Sequence, residues 1–250
     1  MSISRAFARK LPSLITLRLR AMKWFFTGVP AVGQFNFGDL RRLSPVSRDY
    51  GYDRGQPVDR YYIERFLETH AKDVRGRVLE IGDNEYTMKF GGGRVTRSDV
   101  LHVTPDNPKA TFVGDLTDAP QIPSSTFDSI VLTQTLCLIY DLERAVATLH
   151  RILKPGGVML VTVPGVVMVP TGTTWAPTWH WSFTEHSLGR LLSEAFGEDV
   201  QVSVYGNILA AISFLEGLCA GELEALELDH ADPNYPVTIT ARVKKFMPEP

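Results

Sequence analysis

The sequence predicts an α/β protein with a doubly wound sheet, and three observations predict it. Short apolar runs recur through the middle of the chain, each ending near a polar residue. They are VLEIGD (78–83), RVTRSDVLHV (94–103), ATFVGDL (110–116) and FDSIVLTQTL (127–136). Parallel strands buried on both faces read this way where they open onto a ligand crevice. Second, DLERAVATLHRILKPGG follows the fourth run and places Leu142, Ala145, Val146, Leu149, Ile152 and Leu153 along one helical face. Asp141 sits where an N-cap belongs, and Pro155, Gly156 and Gly157 stop the helix before a fifth run, VMLVTVP. Third, the tail reads as helix (SLGRLLSEAFG), strand (VQVSVYGN), apolar helix (ILAAISFLEGLCAGEL) and an alternating strand, YPVTITARVKK. Inserted antiparallel, that last strand completes a seven-stranded mixed sheet.

The elements fit one enzyme domain at residues 50–250, preceded by a basic extension at residues 1–49. A chain of 250 residues with 44% hydrophobic content can bury a full core. Residues 1–42 carry eight basic side chains against the single acid Asp39, whereas the whole chain has a net charge of −2. SLITLRLRAMKWFF mixes apolar and basic residues at roughly helical spacing, a pattern that suits an anionic membrane surface. The favoured reading is a helix that packs as a lid on the acidic core or on a second subunit of a homo-oligomer. No stretch approaches the roughly 20 apolar residues of a membrane span, and nothing calls for nucleic acid. Cys137 and Cys219 lie in apolar surroundings without metal-ligand spacing, as free thiols of a reducing, cytoplasmic compartment do. Asp229, His230 and Asp232 form no octahedral or tetrahedral set by spacing, so no metal is expected.

The set VLEIGD, an acid after the second strand, GDL after the third and RILKPGG before the fifth resembles the class I S-adenosylmethionine-dependent methyltransferases. The likeness is to their type 11 branch, and within it to bacterial members found beside glycosyltransferases. It runs from near Tyr50 to Val163 and more weakly to the C-terminus. It implies a Rossmann-like methyltransferase fold and S-adenosyl-L-methionine as cofactor. By this resemblance Glu80 and Gly82 support the methionine end, Asp99 accepts the ribose hydroxyls, and Asp115 with Leu116 holds adenine. Gln134 is the candidate where cofactor and acceptor meet, and Tyr62, with Tyr61 beside it, lines the cofactor pocket from the entry helix. Ordinary core packing is the alternative for both tyrosines. Arg54 and Arg60 are candidates for gripping a carboxylate. The family's Gly-x-Gly-x-Gly is reduced here to Gly82, with Asn84 and Tyr86 at the other two positions and glycines at 91–93. The first helix must therefore be short or irregular.

Methyl transfer to a hydroxyl needs in-line placement and a base. Of the six histidines, His180 stands apart, because TWAPTWHWSFTEHS places it between Trp179 and Trp181 in the loop after the fifth strand. Aromatic rings around a base suit the apolar faces of a sugar. The alternative is an aromatic cap on the sheet, with His180 bonded to backbone. The resulting expectation is an O-methyltransferase acting on a hydroxyl of a saccharide or related metabolite, with a small-molecule or oligosaccharide acceptor. N- or C-methylation of a small metabolite and a non-catalytic partner that kept the fold are the alternatives.

Overall fold

The computed structural model describes residues 28–172 and 176–247, which fall into two compact units, Met1–Ser44 and Pro45–Pro250. In the first, the described residues form one short turn, Gly38–Leu40, with Phe35 edge-on to Phe37 at 4.9 Å and the Arg41 guanidinium 4.8 Å over the Phe37 ring. The basic run from Arg5 to Lys23, with its expected helix, lies outside the described residues. The second unit starts at Pro45, five residues before the expected boundary, because the Val46 and Ser47 amides both donate to the Glu216 carbonyl, at 2.8 and 3.0 Å.

This unit holds a seven-stranded sheet of β1 (Gly76–Ile81), β2 (Val95–His102), β3 (Phe112–Val113), β4 (Phe127–Thr133), β5 (Leu153–Pro164), β6 (Val200–Tyr205) and β7 (Thr238–Lys244). The strand order is β3-β2-β1-β4-β5-β7-β6, parallel from β3 to β5, with β7 antiparallel to both β5 and β6. The sheet is the expected mixed one, Rossmann-like and with the expected antiparallel strand. Two strands differ in length from the sequence reading. β3 is two residues long, and β5 begins at Leu153 because the KPGG segment stays in the sheet. There the pairing with β4 slips, Phe127 facing Leu153 and Ser129 facing Val158. Gly157 allows this close passage, since a Cβ there would lie 2.9 Å from the Leu153 side chain and 3.0 Å from the Asp128 carbonyl oxygen.

Successive strand residues serve opposite faces, so each central strand feeds two cores. Leu79, Ile130, Leu132 and Met159 join Val146 and Leu149 of α2 (Leu142–Ile152) and Leu188 and Leu192 of α3 (Glu185–Phe196). Val78, Val131, Val158 and Leu160 face Ile63, Phe66 and Leu67 of α1 (Val58–Thr69). These side chains are essentially unexposed, and each contributes about 1.5–3 kcal/mol through burial. Side chains start the later helices: Asp141 accepts from the Arg144 amide ahead of α2, and Thr184 with Ser187 closes a capping box on α3. Asn207 caps α4 (Ile208–Glu216), and its amide also donates to the carbonyls of Glu227 and His230, tying α4 to α5 (Ala225–Asp229). Among the described residues no helix is long and apolar enough to cross a membrane.

Candidate active site

The carboxyl ends of β1 to β5 open onto one cleft of about 1780 Å³, roofed by the segment before α1 and by the loop after β5. Pockets that hold a single small molecule have volumes of about 300–1,000 Å³. The cleft therefore has room for two reactants.

At the end of β1, the Glu80 side chain is buried and turns back on the chain. Its two oxygens accept from the Thr87 amide at 2.7 Å and the Tyr86 amide at 3.3 Å. Burial pushes its carboxyl up to about 7, against the hydrogen bonds from Thr87 and Tyr86. Glu80 thereby holds the start of a single irregular turn, Thr87–Gly91, that replaces the usual first helix, as the missing glycines led one to expect. Gly82 has φ 88°, and no atom lies within 4 Å of where a Cβ would stand. This gap faces the cleft, so backbone is open to a ligand there. Beside it Asp83 takes an ion pair from Lys109 at 2.8 Å and lies below the ordinary carboxylate range, chiefly through that contact.

Asp99 does not reach the cleft. It lies three residues before the end of β2, in register with Leu79, fully buried and paired with Arg77 at 2.6 Å and Arg97 at 3.2 Å. The sequence reading runs this strand to residue 103 and still gives Asp99, which lies inside it, the role of a strand-end acid. The strand continues to His102, and the acid that lines the cleft beyond it is Asp106. Asp115 and Leu116 do line the cleft: Leu116 is 3% exposed, and an Asp115 oxygen accepts from the Thr117 amide at 2.8 Å.

Gln134, just past β4, also lines the cleft. Its backbone is held at φ 48°, a conformation that costs a non-glycine residue on the order of 1–3 kcal/mol, while its amide donates to the Thr162 carbonyl at 2.8 Å. Its side-chain Oε1 is buried and has no hydrogen-bond partner among the described residues. Backbone strain at a residue that lines the cleft marks a candidate functional position.

The loop after β5 returns over the cleft through the backbone amides of His180 and Trp181, which both donate to the Cys137 carbonyl at 2.8 and 3.2 Å. The His180 ring is exposed, lines the cleft and stands edge-on to Tyr140 at 5.4 Å. Trp181 stacks on Tyr140 at 5.8 Å and donates to the Ile139 carbonyl at 2.9 Å. Trp175 lies outside the described residues.

Tyr62, expected in the cofactor pocket, does not line the cleft. It is 2% exposed, its hydroxyl donates to the Leu228 carbonyl at 3.0 Å, and it packs with Val58, Ala210 and Phe214. At its place in α1 it faces the core, which is the packing alternative for this residue. Tyr61 instead donates to Asp229 at 2.7 Å. Arg54 is taken by a fork to Glu222, whose carboxyl is pulled down to about 2 chiefly by that bond. Arg60 does line the cleft, bonded to the Tyr52 hydroxyl at 2.9 Å and the Tyr86 hydroxyl at 3.1 Å. Sequence reasoning missed the residues around it. Asp59 lines the cleft with a buried, unpartnered Oδ1, and burial raises its carboxyl. Tyr50, with φ 55°, has its phenol pushed up to about 12 by burial and by Asp59. The doubled Asp-Arg of DRGQPVDR was the available signal.

Residues 72–161 match the family model described as a methyltransferase domain. Two curated relatives match at low identity. One is the rat mitochondrial arginine-hydroxylase NDUFAF5, 28% identical over 49% of this chain and 29% of its own length. The other is a probable S-adenosylmethionine-dependent methyltransferase of Mycolicibacterium smegmatis, 29% identical over 40% of this chain and 34% of its own. The matches thus span about a third of those relatives. Among solved structures, the [4+2]-cyclase SpnF aligns with TM-score 0.51 at 15% identity, covering 75% of this chain and 82% of that one. A SAM-dependent methyltransferase from Archaeoglobus fulgidus aligns with TM-score 0.51 at 12% identity, covering 74% and 93%. At such identities the structures speak for the fold, and a fold hosts more than one chemistry. The stretch that resembles a methyltransferase domain carries Glu80, Gly82, Asp115 and Gln134, all of which line the cleft.

Proposed function

We propose that this protein transfers a methyl group from S-adenosylmethionine to a hydroxyl of a saccharide or related metabolite. The observation that carries this reading is the convergence on one cleft of an open Gly82 backbone, the acid and apolar pair Asp115 and Leu116, and the strained Gln134 with its unfilled Oε1. When bound, the cofactor supplies a methyl carbon on a sulfonium that is already a good leaving group. Glu80 holds the turn over the methionine end, Gly82 leaves backbone accessible, Asp106 takes the ribose role first given to Asp99, and Asp115 with Leu116 receives adenine. The acceptor takes the remaining volume, between Gln134, Tyr140 and His180. The flat rings of Tyr140 and Trp179 favour a saccharide, and His180 receives the hydroxyl proton. Residues 1–49 act as a cover or subunit contact, so removing residues 1–30 impairs turnover more than cofactor binding.

Calorimetry with S-adenosylhomocysteine tests the cofactor half. Saturable binding is expected, and none at millimolar ligand ends the reading. Transfer of labelled methyl to a saccharide panel tests the other half, with His180→Ala slowing it about 10²-fold to 10⁴-fold while leaving S-adenosylhomocysteine affinity unchanged.

A further inference from the structure

The turn after β1 keeps a single glycine, Gly82, with Asn84 and Tyr86 at the two other positions of the family pattern. No side chain packs against Gly82 on its open side, and a glycine without such packing is conformationally free unless its backbone groups are held. Both are held. Its amide donates to the Leu101 carbonyl at 2.9 Å, and its carbonyl accepts from the Asn107 side-chain amide at 2.6 Å. Asp83 accepts from Lys109 through both oxygens, at 2.8 and 3.1 Å, and its Oδ1 also takes the Asn84 amide at 2.6 Å. The Asn84 side chain donates in turn to Ser98 Oγ in β2 at 3.2 Å. Each residue of the turn is therefore tied by a side chain.

Asn107 and Lys109 belong to the connection between β2 and β3. Parallel neighbours are usually joined by a crossover of a dozen or more residues that contains a helix. Residues 103–111 make this crossover without one. The segment is organised by its own side chain instead: Asn107 Oδ1 accepts from the Lys109 amide at 2.9 Å, and the Asn107 carbonyl accepts from the Ala110 amide at 3.1 Å. Such an Asx-turn fixes local backbone without a helix, and from it Asn107 and Lys109 both reach the turn after β1. The same segment carries Asp106 into the cleft lining, whereas Asn107 and Lys109 do not line the cleft. The ion pair adds little to the fold, since Lys109 and Asp83 keep 50% and 41% side-chain exposure.

We propose that Asn107 and Lys109 are positioning residues for the cofactor, holding the Gly82–Asn84 turn in a ligand-ready shape where the other glycines are missing. Asn107 fixes the Gly82 peptide whose open side faces the cleft. Lys109 holds the Asp83 carboxylate, which keeps the Asn84 amide in place. Backbone that is already ordered binds a ligand with less loss of freedom. The inference rests on the methyl-transfer reading for the identity of the ligand, but the order of the turn is measurable without any ligand.

Asn107→Asp is the most direct variant, because it keeps the oxygen that accepts from the Lys109 amide and removes the donor to Gly82. Calorimetry on the full chain should show S-adenosylhomocysteine bound about fivefold to tenfold more weakly, with an unchanged urea midpoint. Asn107→Ser, which adds no charge, should weaken binding to the same degree. Lys109→Met should lose about threefold, and Lys109→Arg, which keeps the ion pair, should restore wild-type affinity. In NMR spectra of the ligand-free chain, Asn107→Asp should shift or broaden the Gly82 and Asp83 amides and leave the Leu116 amide in place. Affinity within about twofold of wild type in both Asn107 variants overturns the proposal, as does a loss of urea stability that accounts for the whole loss of affinity. Binding by Lys109→Arg as weak as that of Lys109→Met overturns the role given to Lys109. If the wild type does not bind S-adenosylhomocysteine, the methyl-transfer reading falls. The ligand-free spectra then decide separately, and unmoved Gly82 and Asp83 amides overturn the hold on the turn.

Discussion

Asp99 in β2 and Asp59 in the first turn of α1 are both carboxylates with buried oxygens, yet the two regions treat them in opposite ways. Asp99 is met by two guanidinium groups, from Arg77 on the neighbouring strand and Arg97 on its own. At Asp59 burial raises the carboxyl against the pull of neighbouring Arg60 and of backbone amides, and its Oδ1 accepts nothing among the described residues. Desolvating a carboxylate is costly, and a scaffold meets that cost with internal partners, as at Asp99. At Asp59 the cost outweighs what Arg60 and the backbone amides return, and the carboxyl is raised. The comparison teaches that burial of an acid is uninformative until its hydrogen bonds are counted. It also explains why Asp99, the more deeply buried of the two, is the structural one.

The largest expected effect tests the structural side. Asp99→Ala leaves Arg77 and Arg97 without their partner inside the sheet, and loss of one member of a buried pair costs about 3–5 kcal/mol. Because the two arginines keep 28% and 59% side-chain exposure, the loss should lie near about 3 kcal/mol in urea denaturation. S-adenosylhomocysteine affinity should not move. A matching fall in that affinity would return Asp99 to the site.

Glu80 sharpens the comparison from between the two, since its partners are backbone amides and not cations. Its carboxyl is raised from 4.5 to about 7, mainly by burial. Between those values the folded chain holds a proton that the unfolded chain has released. The stability this confers is therefore complete below about pH 4.5 and is lost as pH rises through 7. Relative to Glu80→Gln, wild type should lose about 2–3 kcal/mol over that window and little beyond it. A difference between the two proteins that stays flat with pH would show Glu80 to be ionised throughout.

The same distinction between scaffold and cleft governs what could be read from the sequence. Val78, Leu79, Ile130 and Val131 announce β1 and β4 because burial on both faces demands continuous apolar runs. The irregular turn at 87–91 was legible from the absent glycines, and Asp115 and Leu116 from the end of a run. Asp99 was misplaced because an acid inside a strand does not show from sequence whether it meets a ligand or, as here, the arginines Arg77 and Arg97. Tyr62 was misassigned because helical spacing says which residues share a face but not which neighbour that face meets. Asp59 escaped notice because its property is an absence of partners, which exists only once the entry segment, β4 and α4 have come together.

Tyr62→Phe probes the core side at smaller scale. It removes the hydroxyl and leaves the Leu228 carbonyl unpaired, so a loss of about 1 kcal/mol is expected with S-adenosylhomocysteine binding unchanged. Weakened binding would restore Tyr62 to the cofactor pocket.

Asp59→Asn should produce the smallest change, and one of opposite sign. In the ligand-free protein the carboxylate suffers desolvation without a compensating bond to Oδ1. Replacing it with a neutral side chain of nearly the same shape removes the charged part of that cost and keeps the packing. A gain of about 0.5–1 kcal/mol is expected at neutral pH, where the carboxylate is most penalised. The gain should shrink as pH falls, because a carboxyl raised by burial takes up its proton in the folded chain before the unfolded one does. Asp99→Asn, measured alongside, should lose stability, since it removes a charge that two arginines require. If both asparagine variants lose stability to the same degree, Asp59 has an internal partner after all, and the contrast between scaffold and cleft collapses at its sharpest point.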